Sequence, residues 1–158
     1  MPASSSIVSF SLTLSFRTCD HDEPIAFKVD GSRFEGGSRT LKFSVDTKYK
    51  MTIETKPPVE FHHLHIGGSD LAMSEEMGKG KYTAEWNTTG ITPTKSGARE
   101  NIGLHLQGPG GLLRTKLQCK FYKKEDSHAS WGHKMNSLEW SCSVDPSGSV
   151  TLSEDRVK

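Results

Sequence analysis

A strict alternation of apolar and polar side chains is the feature that most limits how this chain can fold. In residues 8–16, five apolar side chains alternate with four hydroxyl side chains. Because successive side chains of a β-strand point to opposite faces, this segment predicts a strand with one apolar face. The same period recurs in residues 41–45, 49–53, 82–86, 102–106, 113–121 and 138–144.

Glycine and proline clusters separate these segments, and Asp30-Gly31 has the composition of a tight hairpin turn. No window shows the spacing of an amphipathic helix. We therefore expect an all-β fold, a single-domain antiparallel β-barrel or sandwich of about 8–10 strands with almost no helix. The domain is expected to span residues 7–144, with flexible termini at residues 1–6 and 145–158.

The bulk composition argues against several classes of function. The net charge is +1, so no global field favours nucleic acid. No apolar run is long enough for a membrane-spanning helix. The three cysteines form no CxxC pair, which is typical of reduced thiols in the cytosol.

Residues 90–97 read GITPTKSG and resemble a phosphate-binding loop, but they lack its chemistry. Such a loop needs glycine directly before lysine, and here Thr94 precedes Lys95. Pro93 removes a backbone donor, and no helix pattern follows. The segment is interpreted as a connection between two strands.

His63 and His65 would share one face of a strand, which is a spacing that zinc can use. A zinc site needs three or four ligands, and His105 is the best additional candidate. We predict no metal and no cofactor. No catalytic serine or cysteine signature is present, so we expect that the protein is not an enzyme.

Two features are candidates for partner contact. Arg114, Lys116 and Lys120 share one face of a strand and form a basic stripe, which either meets an acidic peptide or is simply a solvated face. Trp131 lies in a loop, where a tryptophan either plugs a barrel mouth or anchors a partner.

Residues 27–34 (FKVDGSRF), residues 90–97, residues 120–122 (KFY) and Trp131-Gly132 resemble the cannabinoid receptor-interacting protein 1 family. The resemblance implies a small cytosolic, non-enzymatic β-barrel with an apolar lumen. It implies binding to the cytoplasmic C-terminal tail of a G-protein-coupled receptor (the type 1 cannabinoid receptor in the family) and modulation of its signalling.

The leading hypothesis is therefore a monomeric cytoplasmic adaptor that reaches the inner face of the plasma membrane only through its partner. The residues predicted to contact that partner are Thr94, Lys95, Arg99, Arg114, Lys116, Lys120 and Trp131. The alternative is a carrier that shields the lipid group of a small GTPase. Its lumen would be lined by Leu14, Phe43, Ile53, Trp86, Leu104, Leu117, Phe121 and Trp140.

Overall fold

The computed structural model describes residues 9–29, 39–76, 78–96 and 98–158. These residues form thirteen strands and one short 3-10 helix, Ser127–Ser130. The strands are β1 (Ser9–Thr18), β2 (Ala26–Val29), β3 (Arg39–Ser44), β4 (Lys48–Lys56), β5 (His63–Ile66), β6 (Ser69–Leu71), β7 (Ser74–Glu76), β8 (Lys81–Asn87), β9 (Glu100–Gly108), β10 (Gly111–Tyr122), β11 (His133–Lys134), β12 (Leu138–Val144) and β13 (Ser149–Val157).

Side chains that alternate between apolar and polar in the sequence alternate between buried and more exposed positions in the structure. In β1 the apolar side chains from Phe10 to Phe16 are buried, and the serine and threonine side chains between them are half-buried. β1 pairs antiparallel with β12 on one edge and with β4 on the other. The hydrophobic effect therefore turns every second side chain inward, and the two neighbouring strands satisfy the backbone groups of β1.

The strands form one curled sheet around a single apolar core. Hydrogen-bonded neighbours run in the order β11-β2-β3-β10-β13-β12-β1-β4-β8-β7, while β9, β5 and β6 continue from the other edge of β10. This arrangement confirms the predicted all-β barrel or sandwich. No helix in the described ranges is long and apolar enough to cross a membrane.

β10 is the branch point of the sheet. One of its edges pairs with β9 from Gly111 to Cys119. The other edge pairs in parallel with β13 at residues 112–113 and with β3 at residues 119–122. These two pairings are parallel and are exceptions to the expected antiparallel order, because the alternation of side chains carries no information about strand direction.

The segment 145–158, which was expected to be a flexible terminus, contains a strand. Ser149–Val157 forms β13, which pairs with β12 along its length and with β10 at its start. Most of its side chains are exposed, so its sequence looks like that of a polar tail. Its backbone pairing and the two hydrogen bonds from Arg39 to Asp155, at 2.9 and 3.1 Å, hold it in the sheet.

Two predictions concern residues that the structure does not describe, and the predicted number of strands differs from the observed number. The Asp30-Gly31 turn and residues 1–6 lie outside the described residues. The described residues form thirteen strands rather than eight to ten, because β6, β7 and β11 have only two or three residues each. Segments that short cannot show a period of two.

Aromatic rings fill the core around Phe43. Its ring centroid lies 5.0 Å from those of Phe16 and Trp86, 5.3 Å from Tyr49 and 5.8 Å from Phe121. Most of these pairs meet edge to face, the geometry that aromatic quadrupoles favour. The eight residues assigned to a lumen are all buried: Leu14, Phe43, Ile53, Trp86, Leu104, Leu117, Phe121 and Trp140.

Replacing Phe43 with alanine should lower the free energy of unfolding by about 3–5 kcal/mol, since it leaves a cavity among four rings. Urea denaturation measures this loss. Val29→Ala is the control, because Val29 is 45% exposed and its truncation should cost less than about 1 kcal/mol. Equal losses in the two variants would contradict the assignment of Phe43 to the centre of the core.

The three cysteines should differ in reactivity in the folded protein. Cys119 and Cys142 are buried, and burial raises the pKa of Cys142 to about 11 and that of Cys119 well above its usual range. Because the thiolate is the reactive form, we expect one fast thiol, Cys19, with a disulfide reagent and three after unfolding. Cys19→Ser should remove the fast phase, and a persisting fast phase would show that a buried thiol is accessible.

Candidate functional site

An open cleft lies beside the C-terminal end of β10, and we call it the basic-aromatic cleft. Its volume is about 730 Å³, which is within the size range of pockets for drug-sized ligands. Strands β2, β3 and β10 form one side, and the loops before β9 and before β11 form the other. The lining residues are Lys28, Lys42, Pro93, Thr94, Ser96, Lys120, Phe121, Tyr122, Lys123, Asp126, His128, Trp131 and Gly132.

The residues that line the cleft come from segments that are far apart in the sequence. Lys28 comes from residues 27–34, and Pro93, Thr94 and Ser96 come from residues 90–97. Residues 120–122 and Trp131-Gly132 complete it. Each of the four segments that carry the family resemblance therefore contributes at least one described residue to this opening.

Thr94 holds the loop before β9 against β10. Its N–H donates to the Phe121 carbonyl at 2.9 Å, and its Oγ1 accepts from the Phe121 N–H at 3.0 Å. The same hydroxyl donates to Glu100 Oε2 at 2.6 Å. Pairing between β9 and β10 ends at Glu100 and Cys119, so Thr94 continues the ladder beyond β9. The Thr94 hydroxyl therefore fixes the position of the loop against β10.

The structure separates the other residues predicted to contact a partner. Lys120 and Trp131 line the cleft with Thr94. Lys95 and Arg99 are exposed on the same loop but do not line it. Lys116 and Arg114 lie on the outer face of β10, and each lines a different, more distant cleft.

Lys42 lines the cleft and was not among the residues predicted from the sequence. It is only 8% exposed, and its Nζ donates to the Trp131 carbonyl at 2.7 Å and to the His128 carbonyl at 3.2 Å. A buried ammonium group needs such acceptors. In the sequence, Lys42 alternates with Leu41 and Phe43 and therefore resembles any solvated strand residue. Only the loop that covers it reveals its role.

Trp131 remains 55% exposed, which favours an anchor over a plug. Its ring centroid lies 4.0 Å from that of His128, in the turn that Lys42 holds. Asp126 caps this turn, since its Oδ1 accepts from the His128 backbone N–H at 2.9 Å and from its ring at 2.7 Å. The large indole is therefore presented on a short, hydrogen-bonded turn.

The backbone N–H and then the side chain of His128 hold the pKa of Asp126 below its usual range. A lowered carboxylate pKa means that the stabilising contribution is present above the unfolded pKa of about 3.9 and is lost as pH falls through the folded value. The turn that carries Trp131 is thus fully capped near neutral pH.

The cleft is strongly biased towards positive charge. Lys28 and Lys123 are exposed at its rim, and Lys120 is half-buried with its Nζ 5.5 Å from the centre of the Tyr122 ring. Among the lining residues that the structure describes, Asp126 is the one carboxylate, and it already bonds His128. An anionic ligand with an apolar or aromatic side chain fits this combination.

The histidine candidates come together on the opposite part of the sheet. His65 and His105 face each other across β5 and β9 with ring centroids 5.5 Å apart, and the Nδ1 of His65 lies 2.7 Å from Asp70 Oδ1. They share a cleft with His63 and Arg114. Within the described ranges, no group of three or more histidine, cysteine, aspartate or glutamate side chains has a geometry that could hold a metal ion.

Replacing Thr94 with valine should lower the free energy of unfolding by about 1–2 kcal/mol, because the Phe121 N–H loses its hydroxyl acceptor. Hydrogen exchange at the Phe121 amide should also become faster. Thr94→Ser keeps the hydroxyl and is the matched control. If the valine and serine variants behave alike in both measurements, the hydroxyl does not hold the loop.

The chain is similar in sequence to known proteins along most of its length. The chain matches the family described as "CB1 cannabinoid receptor-interacting protein 1" over residues 7–156. It is 35% identical to the human protein of that name over 140 residues, covering 83% of this chain and 84% of the relative. It is 36% identical to the mouse protein over 141 residues, with the same coverage. The chain belongs to the CB1 cannabinoid receptor-interacting protein 1 family.

Proposed function

We propose that the protein is a non-enzymatic adaptor that binds the cytoplasmic C-terminal tail of a G-protein-coupled receptor and modulates its signalling. The observation that carries this proposal is the meeting of the four characteristic segments at the basic-aromatic cleft. Because the relatives are named for interaction with the CB1 cannabinoid receptor, the tail of that receptor is the first candidate partner.

The cleft combines the two kinds of contact that peptide recognition needs. Trp131 offers a large exposed ring on a fixed turn, and aromatic anchors of this kind supply much of the affinity of an interface. Lys28, Lys120 and Lys123 offer positive charge, which speeds and orients the approach of an acidic segment. The partner segment is therefore acidic and carries at least one apolar side chain.

The basic stripe gives this segment a path beyond the cleft. Arg114 and Lys116 share the outer face of β10 with Lys120, and both are exposed. At roughly 3.3 Å per residue, the stripe from Lys120 to Arg114 is about 20 Å long. An extended acidic peptide anchored at Trp131 would meet these side chains in turn.

The adaptor acts as a monomer in the cytoplasm and reaches the inner face of the plasma membrane through its receptor. The packing of aromatic side chains around Phe43 argues against the alternative of a lipid carrier, which would need an open apolar lumen.

The proposal is tested with a labelled C-terminal tail peptide of the type 1 cannabinoid receptor and fluorescence anisotropy. Trp131→Ala should weaken binding about 30-fold, which corresponds to about 2 kcal/mol. Lys120→Glu should weaken it about 3- to 10-fold, and its effect should shrink at high salt because exposed charges are screened.

Lys79→Glu is the matched control, because Lys79 is an exposed lysine in the turn before β8 and does not line the cleft. It should leave the affinity unchanged. If the folded Trp131→Ala and Lys120→Glu variants bind the peptide with wild-type affinity, the cleft is not the binding site. A tail peptide that does not bind the wild-type protein would count against this receptor as the partner.

A further inference from the structure

Four side chains form a row across the outer face of the sheet, one from each of four neighbouring strands. On β6, β5, β9 and β10 in turn they are Asp70, His65, His105 and Arg114, and each lies directly opposite the next. Directly opposite residues of an antiparallel pair have Cβ atoms about 4.5–5.5 Å apart and point to the same face. The charged groups of this row are therefore close enough to interact.

Positive charge in this row lacks a counter-charge at the β10 end. The Oδ1 of Asp70 lies 2.7 Å from the Nδ1 of His65, so this carboxylate is placed to offset the first imidazole. Arg114 is exposed and faces His105. The adjoining positions on the same face of β9 and β10 are not acidic: they are Gly103, Gln107, Leu112 and Lys116. Because like charges directly opposite each other destabilise a sheet, a bound anion would stabilise this end of the row.

The donors in this row suit a phosphate group. A guanidinium such as that of Arg114 presents a planar fork of N–H groups that matches two phosphate oxygens. An imidazole adds one N–H when it is neutral and two when it is protonated. The rings of His65 and His105 are stacked, with centroids 5.5 Å apart and planes 23° apart. A phosphate monoester has three terminal oxygens, so it can bond the arginine and an imidazole at the same time.

The row lies in an open cleft that is larger than a phosphate group, and we call it the histidine cleft. Its volume is about 690 Å³, within the range of sites for drug-sized ligands. Half-buried Leu71 and Leu112 give it apolar surface beside the charged row. Among the lining residues that the structure describes, Asp70 is the one carboxylate. A phosphate that is attached to a small organic group would use both kinds of surface.

We propose that the histidine cleft is a binding site for a phosphate monoester, with the phosphate held by Arg114 and His105 and the organic group against Leu71 and Leu112. A phosphorylated side chain of a peptide has this chemistry, and so does a small soluble phosphate ester. The residues that line this cleft differ from those of the basic-aromatic cleft, so the proposal does not rest on the adaptor function.

The test is NMR titration of the full chain, at constant pH and ionic strength, with phenyl phosphate and with N-acetyl-phosphoserine methylamide. Saturable shifts are expected at the ring protons of His105 and at the Arg114 Nε–H, with a Kd of about 1 mM for so small a ligand. Benzoate keeps the ring of phenyl phosphate but has fewer oxygens and less charge, so it should bind at least about 10-fold more weakly. Tighter binding of the phosphoserine probe would identify a peptide as the source of the phosphate, and tighter binding of phenyl phosphate a small ester.

Three variants make the test specific, and the amide spectrum of each shows whether it is folded. Arg114→Gln removes the guanidinium and should weaken binding of phenyl phosphate at least about 10-fold, and His105→Gln should weaken it about 3-fold. Lys50→Gln is the matched control, because it removes one positive charge from an exposed position of β4 that does not line this cleft. Its effect should be less than about 2-fold, since distant exposed charges are screened.

Three results would overturn the proposal. The first is that neither phosphate ester gives saturable shifts at Arg114 and His105. The second is that benzoate binds as tightly as phenyl phosphate, which would show a site for any anion. The third is that folded Arg114→Gln binds phenyl phosphate as well as Lys50→Gln does, which would show that only the net charge matters.

Discussion

β10 is hydrogen-bonded to three strands, β9 along one edge and β13 and β3 in succession along the other. Its backbone pairing joins parts of the chain that are more than 60 residues apart. Two of the clefts formed by the described residues follow from this arrangement. Its C-terminal end forms a wall of the basic-aromatic cleft, and the place where its second edge changes partner leaves a smaller cleft, which Lys116 lines.

The basic-aromatic cleft depends on charge that is fixed in position. Lys42 lies beneath the turn that carries Trp131 and binds two of its carbonyl groups, while Asp126 caps the same turn from within. These contacts limit the conformations that the turn can adopt. An aromatic anchor held in this way loses less conformational entropy on binding than one on a free loop.

Much of the fold could be predicted from the sequence because alternation is a local property. The segments at residues 41–45, 82–86 and 113–121 all became strands with their apolar side chains inside. The parallel pairings of β10 could not be predicted, since the pattern of side chains does not report strand direction. β13 was missed because most of its side chains are exposed, so its sequence has no sustained alternation of apolar and polar residues.

Only part of the candidate site could be predicted from the sequence, because a local pattern does not show which loops cover a residue. Lys120 and Trp131 could be named in advance from their residue types and places in strand and loop. Lys42 could not, because an exposed and a covered lysine have the same place in a strand pattern. Thr94 was expected to meet a partner, yet its hydroxyl bonds Phe121 and Glu100.

The sequence by itself determined that the chain forms one-sided strands around an apolar core, because burial of every second side chain depends only on local order. It also contains the four segments that identify the family. The tertiary structure alone decided that these segments meet at one cleft and that His65, His105 and Arg114 form one row across three strands. Both depend on which strands pair, and pairing is settled by the packing of the whole core.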